Sequence, residues 1–207
     1  MRLGHGGVCL VWVLVTLAAC IPPPPPSAET KALEQWLLTA DEVGAGFEET
    51  YRGTAGFDEG KLCPSAADVI PEHGVVKVDL ERGSDSDRAE LSEILWVVEP
   101  GEMDRLFATF ETAQLACDGQ QWRDYGDVKT FTAVVAPDLG DGCLAGRLQF
   151  GDDPEQGWQE FTVTVRHGDI LAEFILSDEA AGSSEGAAIS DDEFYAIVSG
   201  ALAKLPD

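Results

Sequence analysis

Beyond residue 19 the chain has two histidines, His73 and His167, and each lies beside a glycine in a turn-forming stretch. A histidine acting as general base needs a nucleophile within hydrogen-bond reach and a carboxylate to orient it. The sequence offers no Gly-x-Ser-x-Gly elbow, and it has neither a Gly-rich phosphate loop nor a His-Glu-x-x-His pair. Three acidic groups, Asp85 with Asp87, Asp138 with Asp141, and Asp152 with Asp153 and Glu155, supply hard oxygens for calcium. None has the Asp-x-Asp-x-Asp-Gly spacing that wraps a chain around one ion, so they read as solvated turns. No Cys-x-x-Cys pair supports a zinc ribbon or a redox site. The expectation is therefore no catalytic residue, no metal, no cofactor, and a chain that is not an enzyme.

The residue with the clearest chemistry is Cys20. Arg2 precedes an apolar run from Val8 to Ala19 in which Thr16 is the one polar residue, the pattern of an exported leader. That run is too short to remain as a spanning helix. It ends in Leu17-Ala18-Ala19-Cys20, which resembles the bacterial lipobox. The resemblance implies cleavage after residue 19 and acylation of Cys20 by diacylglycerol and fatty acid such as palmitate. The chain would then be held in the outer leaflet of the cytoplasmic membrane, facing outside the cytoplasm. The alternative is an ordinary leader cut at small residues, with Cys20 an incidental thiol. Pro22 to Pro26 would form a polyproline stalk of about 15 Å. The expected organisation is a signal peptide over 1–19, a lipidated cysteine and stalk over 20–30, and one domain over 31–207.

Charge narrows the partners. The chain has 38 acidic and 13 basic residues, for a formal net charge of −25. Such a field repels nucleic acid and anionic headgroups, so no nucleic-acid partner is expected. Hydrophobic residues make up 44% of the chain, enough to exclude wholesale disorder.

Periodicity places the elements. Lys31 to Leu38 carries Leu33, Trp36 and Leu37 on one helical face, and Thr39 to Glu42 has the form of a capping box. Val75 to Leu80 and Leu91 to Glu99 have strand character. From Glu102 the spacing becomes helical, with Met103, Leu106, Phe107, Phe110, Ala113 and Cys117 on one stripe. Val128 to Ala136, Cys143 to Phe150, Trp158 to Arg166 and Ile170 to Leu176 alternate as strands joined by connections too short for parallel crossovers. Ser190 to Glu193 caps a final helix whose stripe is Phe194, Ile197, Val198, Ala201 and Leu205. The expected fold class is α+β, an antiparallel sheet of about five to six strands with two helices packed on it.

A resemblance emerges along this order. Leu37-Leu38-Thr39-Ala40-Asp41, Gly46-Phe47, a cysteine in the next loop, Leu115-Ala116-Cys117, Leu139-Gly140-Asp141 and Arg166-His167-Gly168-Asp169 resemble the actinobacterial sensor-domain lipoproteins. Those are similar to the extracellular domain of PknH-like receptor Ser/Thr kinases. The resemblance covers about residues 31–207 and implies an extracytoplasmic ligand-sensing module, without catalytic residues to carry over. The chain departs from the family pattern at Cys143, where Ser is more usual, and has no kinase segment.

Cys9 goes with the leader and Cys20 with lipid, leaving Cys63, Cys117 and Cys143. Cys143 opens a strand about eight residues, at about 3.3 Å each, from the point where the helix ending at Cys117 must return. A disulfide spans no more than about 7 Å between Cα atoms, which leaves Cys63 with Cys117, a pairing that also fits the resemblance.

Three functions follow from these features. The first is a membrane-anchored module that binds an unknown small ligand in a cleft between the sheet and its two helices. Phe107, Phe110 and Phe194 would line that cleft and Trp122 and Trp158 close its ends, unless these rings only fill or cap the core. The second is a protein-interaction subunit of a cell-envelope assembly, and the third, least supported, is an envelope hydrolase.

Overall fold

The computed structural model describes residues 28–54, 62–65, 75–83, 88–99, 101–124, 126–151, 158–178 and 189–206. The leader, Cys20, the proline stalk, His73 and the acidic groups at 85–87 and 152–155 lie outside the described residues. In chain order the elements are α1 (Ala28–Glu34), α2 (Ala40–Val43), β1 (Glu48–Thr54), β2 (Val75–Arg82), β3 (Ala89–Val97), α3 (Met103–Cys117) and β4 (Gln121–Asp124). There follow β5 (Asp127–Val134), β6 (Gly142–Phe150), β7 (Gln159–His167), β8 (Ile170–Asp178) and α4 (Asp191–Leu202).

All the strands belong to one sheet, in the order β1-β2-β3-β8-β7-β6-β5-β4, and every neighbouring pair is antiparallel. This corrects the expectation of five to six strands and two helices, since eight strands and four helices are described. The additional strands are the two edges. β1 reads Glu-Glu-Thr-Tyr-Arg-Gly-Thr, mostly exposed, and β4 is the four-residue Gln-Trp-Arg-Asp. Edge strands have one pairing side and little to bury, so neither shows the apolar alternation that reveals an inner strand. α1 and α2 span seven and four residues, too short for a full apolar stripe.

The sheet consists of two antiparallel blocks. β1 to β3 form one; α3 then carries the chain to the far edge, and β4 to β8 meander back until β8 zips onto β3 along Ala89 to Val97. Strand alternation sends Leu91, Leu95, Ala172 and Phe174 to one face. There they meet Leu33, Leu37 and Leu38 beside α1 and Phe194, Val198 and Ala201 of α4. Phe161 and Phe194 pack with ring centroids 5.3 Å apart. The opposite face receives α3. Met103 joins Trp96 and Leu171, Phe110 lies 5.6 Å from Trp96, and Ala113 and Cys117 cluster with Phe131.

The capping boxes read from sequence are formed, with Glu42 bonding back to Thr39 and Glu193 to Ser190. Gly146 of β6 makes room for the buried ring of Phe131 on β5. A Cβ there would stand 2.3 Å from Cζ of Phe131. Gly146→Ala is expected to lose about 1 to 3 kcal/mol through displacement of that buried ring. Urea denaturation checks this, and a loss below about 0.5 kcal/mol would show that the contact yields freely.

Candidate functional site

α3 crosses its face obliquely, from Trp96 and Leu171 at one end to Phe131 at the other. The helix is too narrow to cover the whole face. On the remaining part of β2, β3, β8 and β7 the side chains become polar, and Ser92 and Thr164 among them are buried. The strand registers set them in three rows: Lys77, Ile94, Glu173 and Thr164; Asp79, Ser92, Ile175 and Thr162; Glu81, Glu90, Ser177 and Glu160.

Part of this floor is internally neutralised. Lys77 Nζ lies 2.8 Å from Asp79 Oδ1, which also accepts from Ser92 Oγ at 2.5 Å. Arg88 contacts Glu81 at 2.8 Å and Glu90 at 3.4 Å. The central carboxylate is different. Among the described residues Glu173 has no hydrogen-bond or ion-pair partner, and burial, aided by the charge of Glu160 and opposed by Lys77, pushes its carboxyl up to about 7. Burial likewise raises Glu160 and Glu90, which repel each other across the sheet. Lowered polarity and like charge both favour the protonated form, so the floor presents proton donors as well as acceptors near neutral pH.

At one end of the floor the surface turns aromatic. Trp158 stacks on Phe150 at 4.4 Å, Lys129 lies 5.0 Å above the Phe150 ring, and Lys129 also pairs with Asp124 at 2.7 Å. A floor of hydroxyls and carboxyls with an aromatic end can hold a polar ligand by hydrogen bonds and stack an apolar part of it. His167 cannot serve those carboxyls. Alternation along β7 puts it on the face opposite Glu160, at the hairpin into β8.

A second groove, of about 490 Å³, lies on the outer side of α3 between Ser65 and Arg105, Thr109, Thr112 and Ala116. Its far wall is fixed covalently. Cys63 is bonded to Cys117 with Cα atoms 5.8 Å apart, and Ser65 Oγ meets Gln120 Oε1 at 2.7 Å. Cys63 belongs to the connection from β1 to β2, at one edge, yet it clusters with Phe131 of β5, five strand positions from β2. Five strand spacings amount to about 24 Å, so the disulfide holds Cys63 about that far across the sheet from β2.

The aromatic residues singled out from sequence are divided among separate places. Phe107 and Phe110 lie under α3, while Phe194 packs on the opposite face with Phe161. Trp122 belongs to the cluster around the disulfide, and Trp158 ends the polar floor. α3 and α4 both cover the sheet but from opposite sides, so the sheet itself fills the space between them. Sequence reasoning missed Glu90, Glu160 and Glu173. Their signal was a carboxylate within strands that are otherwise apolar or hydroxyl-bearing, as in Ile-Leu-Ala-Glu-Phe-Ile-Leu.

No protein-family model matches the sequence, and no curated protein sequence does so either. Among solved structures, the chain is similar to the extracellular domain of PknH from Mycobacterium tuberculosis. The identity is 12% and the TM-score 0.54, over 87% of this chain and 99% of that one. It is also matched to the Rv0999 ortholog from Mycobacterium smegmatis, at 12% identity and TM-score 0.43, over 86% and 95% of the two chains. The chain thus has the fold of the PknH extracellular domain, as the order of its elements implied.

Proposed function

We propose that this chain is a membrane-anchored, extracytoplasmic module that binds or senses a small ligand on the sheet face beside α3. The observation that carries the proposal is the likeness in fold to essentially the whole of the extracellular domain of PknH. The polar floor around Glu173 supports it, because carboxyls and hydroxyls from four strands gather there on one face beside an aromatic end. In this reading the floor binds and does not catalyse, and the anchor is a lipid on Cys20. No described helix is long and apolar enough to cross a membrane.

The anchor is tested by Cys20→Ala, which is expected to release the protein from the membrane fraction or leave it unprocessed, since stable anchoring requires about two acyl chains. A variant that is still cleaved and fully membrane-bound would overturn the lipid anchor. The site is tested by a thermal-shift screen of polar and cationic metabolites and envelope lipids. A compound binding the floor should lose at least about tenfold in affinity in Glu160→Gln or Ser177→Ala, about 1.4 kcal/mol, and none in Thr112→Ala of the outer groove. A hit that responds only to Thr112→Ala would move the site to that groove. A screen in which nothing shifts the melting temperature would favour a protein-interaction role.

A further inference from the structure

The face covered by α1 and α4 contains one ionisable group at its centre. Glu93 of β3 is 1% exposed, flanked in register by Val78 of β2 and Phe174 of β8, both fully buried. Its Oε2 accepts the backbone N–H of Leu38 at 2.5 Å, and its Oε1 is buried without a hydrogen-bond partner. A buried carboxylate oxygen left unpaired has a large desolvation penalty, and the arrangement must serve to position what the other oxygen holds.

What it holds is the short connection between α1 and α2, and two more charged side chains hold the same stretch. Arg52 of β1 donates to the carbonyls of Leu38 at 2.5 Å and Glu34 at 3.2 Å, while Glu49 fixes its guanidinium from behind at 2.8 Å. Lys204, just after α4, donates to the carbonyl of Leu37 at 3.1 Å and pairs with Glu42 of α2 at 2.8 Å. A carboxyl group and two cations from three separate elements thus converge on the backbone of five residues. Only long-range contacts are involved, so the grip exists only while β1, β3 and the C-terminal end are in place together.

We propose that Glu34–Leu38 is an acid-tightened latch, gripped by Arg52, Glu93 and Lys204, which loosens when the Glu93 carboxyl ionises. The charged groups facing Glu93 are Arg52 from β1, Glu42 from α2 and Lys204 from beyond α4; β2 and β8 present only Val78 and Phe174. Burial outweighs the Leu38 N–H and the two cations and pushes the Glu93 carboxyl up to about 7, with Glu42 raising it further. Once the latch opens, water reaches the carboxyl and its pKa returns toward the ordinary 4.5. The closed form therefore binds the extra proton between those values, and opening is favoured up to about tenfold per pH unit as pH rises through that window. Above about 7 the effect levels off.

The test is amide hydrogen exchange on the full chain between pH 4.5 and 8, corrected for intrinsic rates, at Trp36 and Leu38. Their protection is expected to fall roughly fortyfold between pH 5 and 7, while amides of the β7–β8 pairing keep theirs. Glu93→Gln, neutral at every pH, should abolish that slope. Lys204→Gln removes a facing cation, so it should lower protection throughout and move the midpoint to higher pH. Protection in the wild type that is flat with pH, an unchanged slope in Glu93→Gln, or an unmoved midpoint in Lys204→Gln would each overturn the latch.

Discussion

Replacing both Cys63 and Cys117 with serine is expected to lower the free energy of unfolding by about 4 kcal/mol. The bond closes a segment of 54 residues, and in the chain-entropy model that closure removes about this much freedom from the unfolded state. The effect should approach the full value because of what the bond joins. Cys63 and Cys117 are both buried against Phe131, and the connection containing Cys63 is anchored about 24 Å from the strands it links. Without the bond, Cys63 must be held in place by the contacts of Leu62 and Ser65. Cys143 offers no substitute. It lies on the opposite face of the sheet, in register with Val165, and burial pushes its thiol up to about 11, which suppresses the thiolate needed for exchange. Urea denaturation of the double variant measures the change, and a loss below about 1 kcal/mol would show that the bond closes structure already present in the unfolded chain.

Stability is expected to rise as pH falls from about 7 to about 4.5, against the usual acid sensitivity of proteins. Glu93 and Glu173 are both held up at about 7 by burial, whereas their ordinary value is 4.5. A raised pKa in the folded state means that folding takes up protons in that window, so stability is full below it and is lost as pH rises through it. A shift of this size corresponds to about 3 kcal/mol per group as an upper figure. Glu90 and Glu160 are raised as well and add in the same direction. Acid also relieves the self-repulsion of a chain with formal net charge −25. The gain does not continue indefinitely. Glu42 and Glu193, the carboxylates of the two capping boxes, are lowered, so their contribution is present above their ordinary range and disappears below it. The stability curve should therefore peak near pH 4.5. Chemical denaturation at pH 4.5, 5.5, 6.5 and 7.5 gives the profile, and Glu93→Gln with Glu173→Gln should flatten it. A curve that rises monotonically toward pH 7.5 would refute the assignment of these carboxyls.

The inner strands and both long helices could be read from sequence because each element carries its own period. Phe107, Phe110 and Cys117 mark a helical stripe however the rest of the chain is arranged. A stripe says that a helix has one buried side; it does not say which side of the sheet receives it. That is decided by how β3 hands the chain to β4, and the short alternating runs contain no trace of it. α3 and α4 were thus both expected on the sheet, with no means of placing them on opposite faces. β1 and β4 were unreadable for a different reason, since edge strands here carry Glu48, Glu49, Arg123 and Asp124, the charges that discourage further pairing. The polar floor escaped notice because Glu160 and Glu173 look like solvent-facing residues in a one-sided sheet. Their burial depends on the assembled sheet, which no single strand's sequence shows.

The disulfide also determines how the chain would respond to being pulled. Tension applied ahead of Ala28 first meets α1 and the edge strand β1, which is joined to the sheet along one side only. Both can peel away in sequence like an unzipping seam. The unravelling then stops at Cys63, where the load passes through sulfur to the end of α3 and onward to β5 near the far edge of the sheet. The slack released before that stop is the length from Ala28 to Cys63, roughly 120 Å when drawn out. The protein is thus built with a fixed length of payout and a covalent arrest, and the seven strands beyond β1 need feel no force until that length is spent.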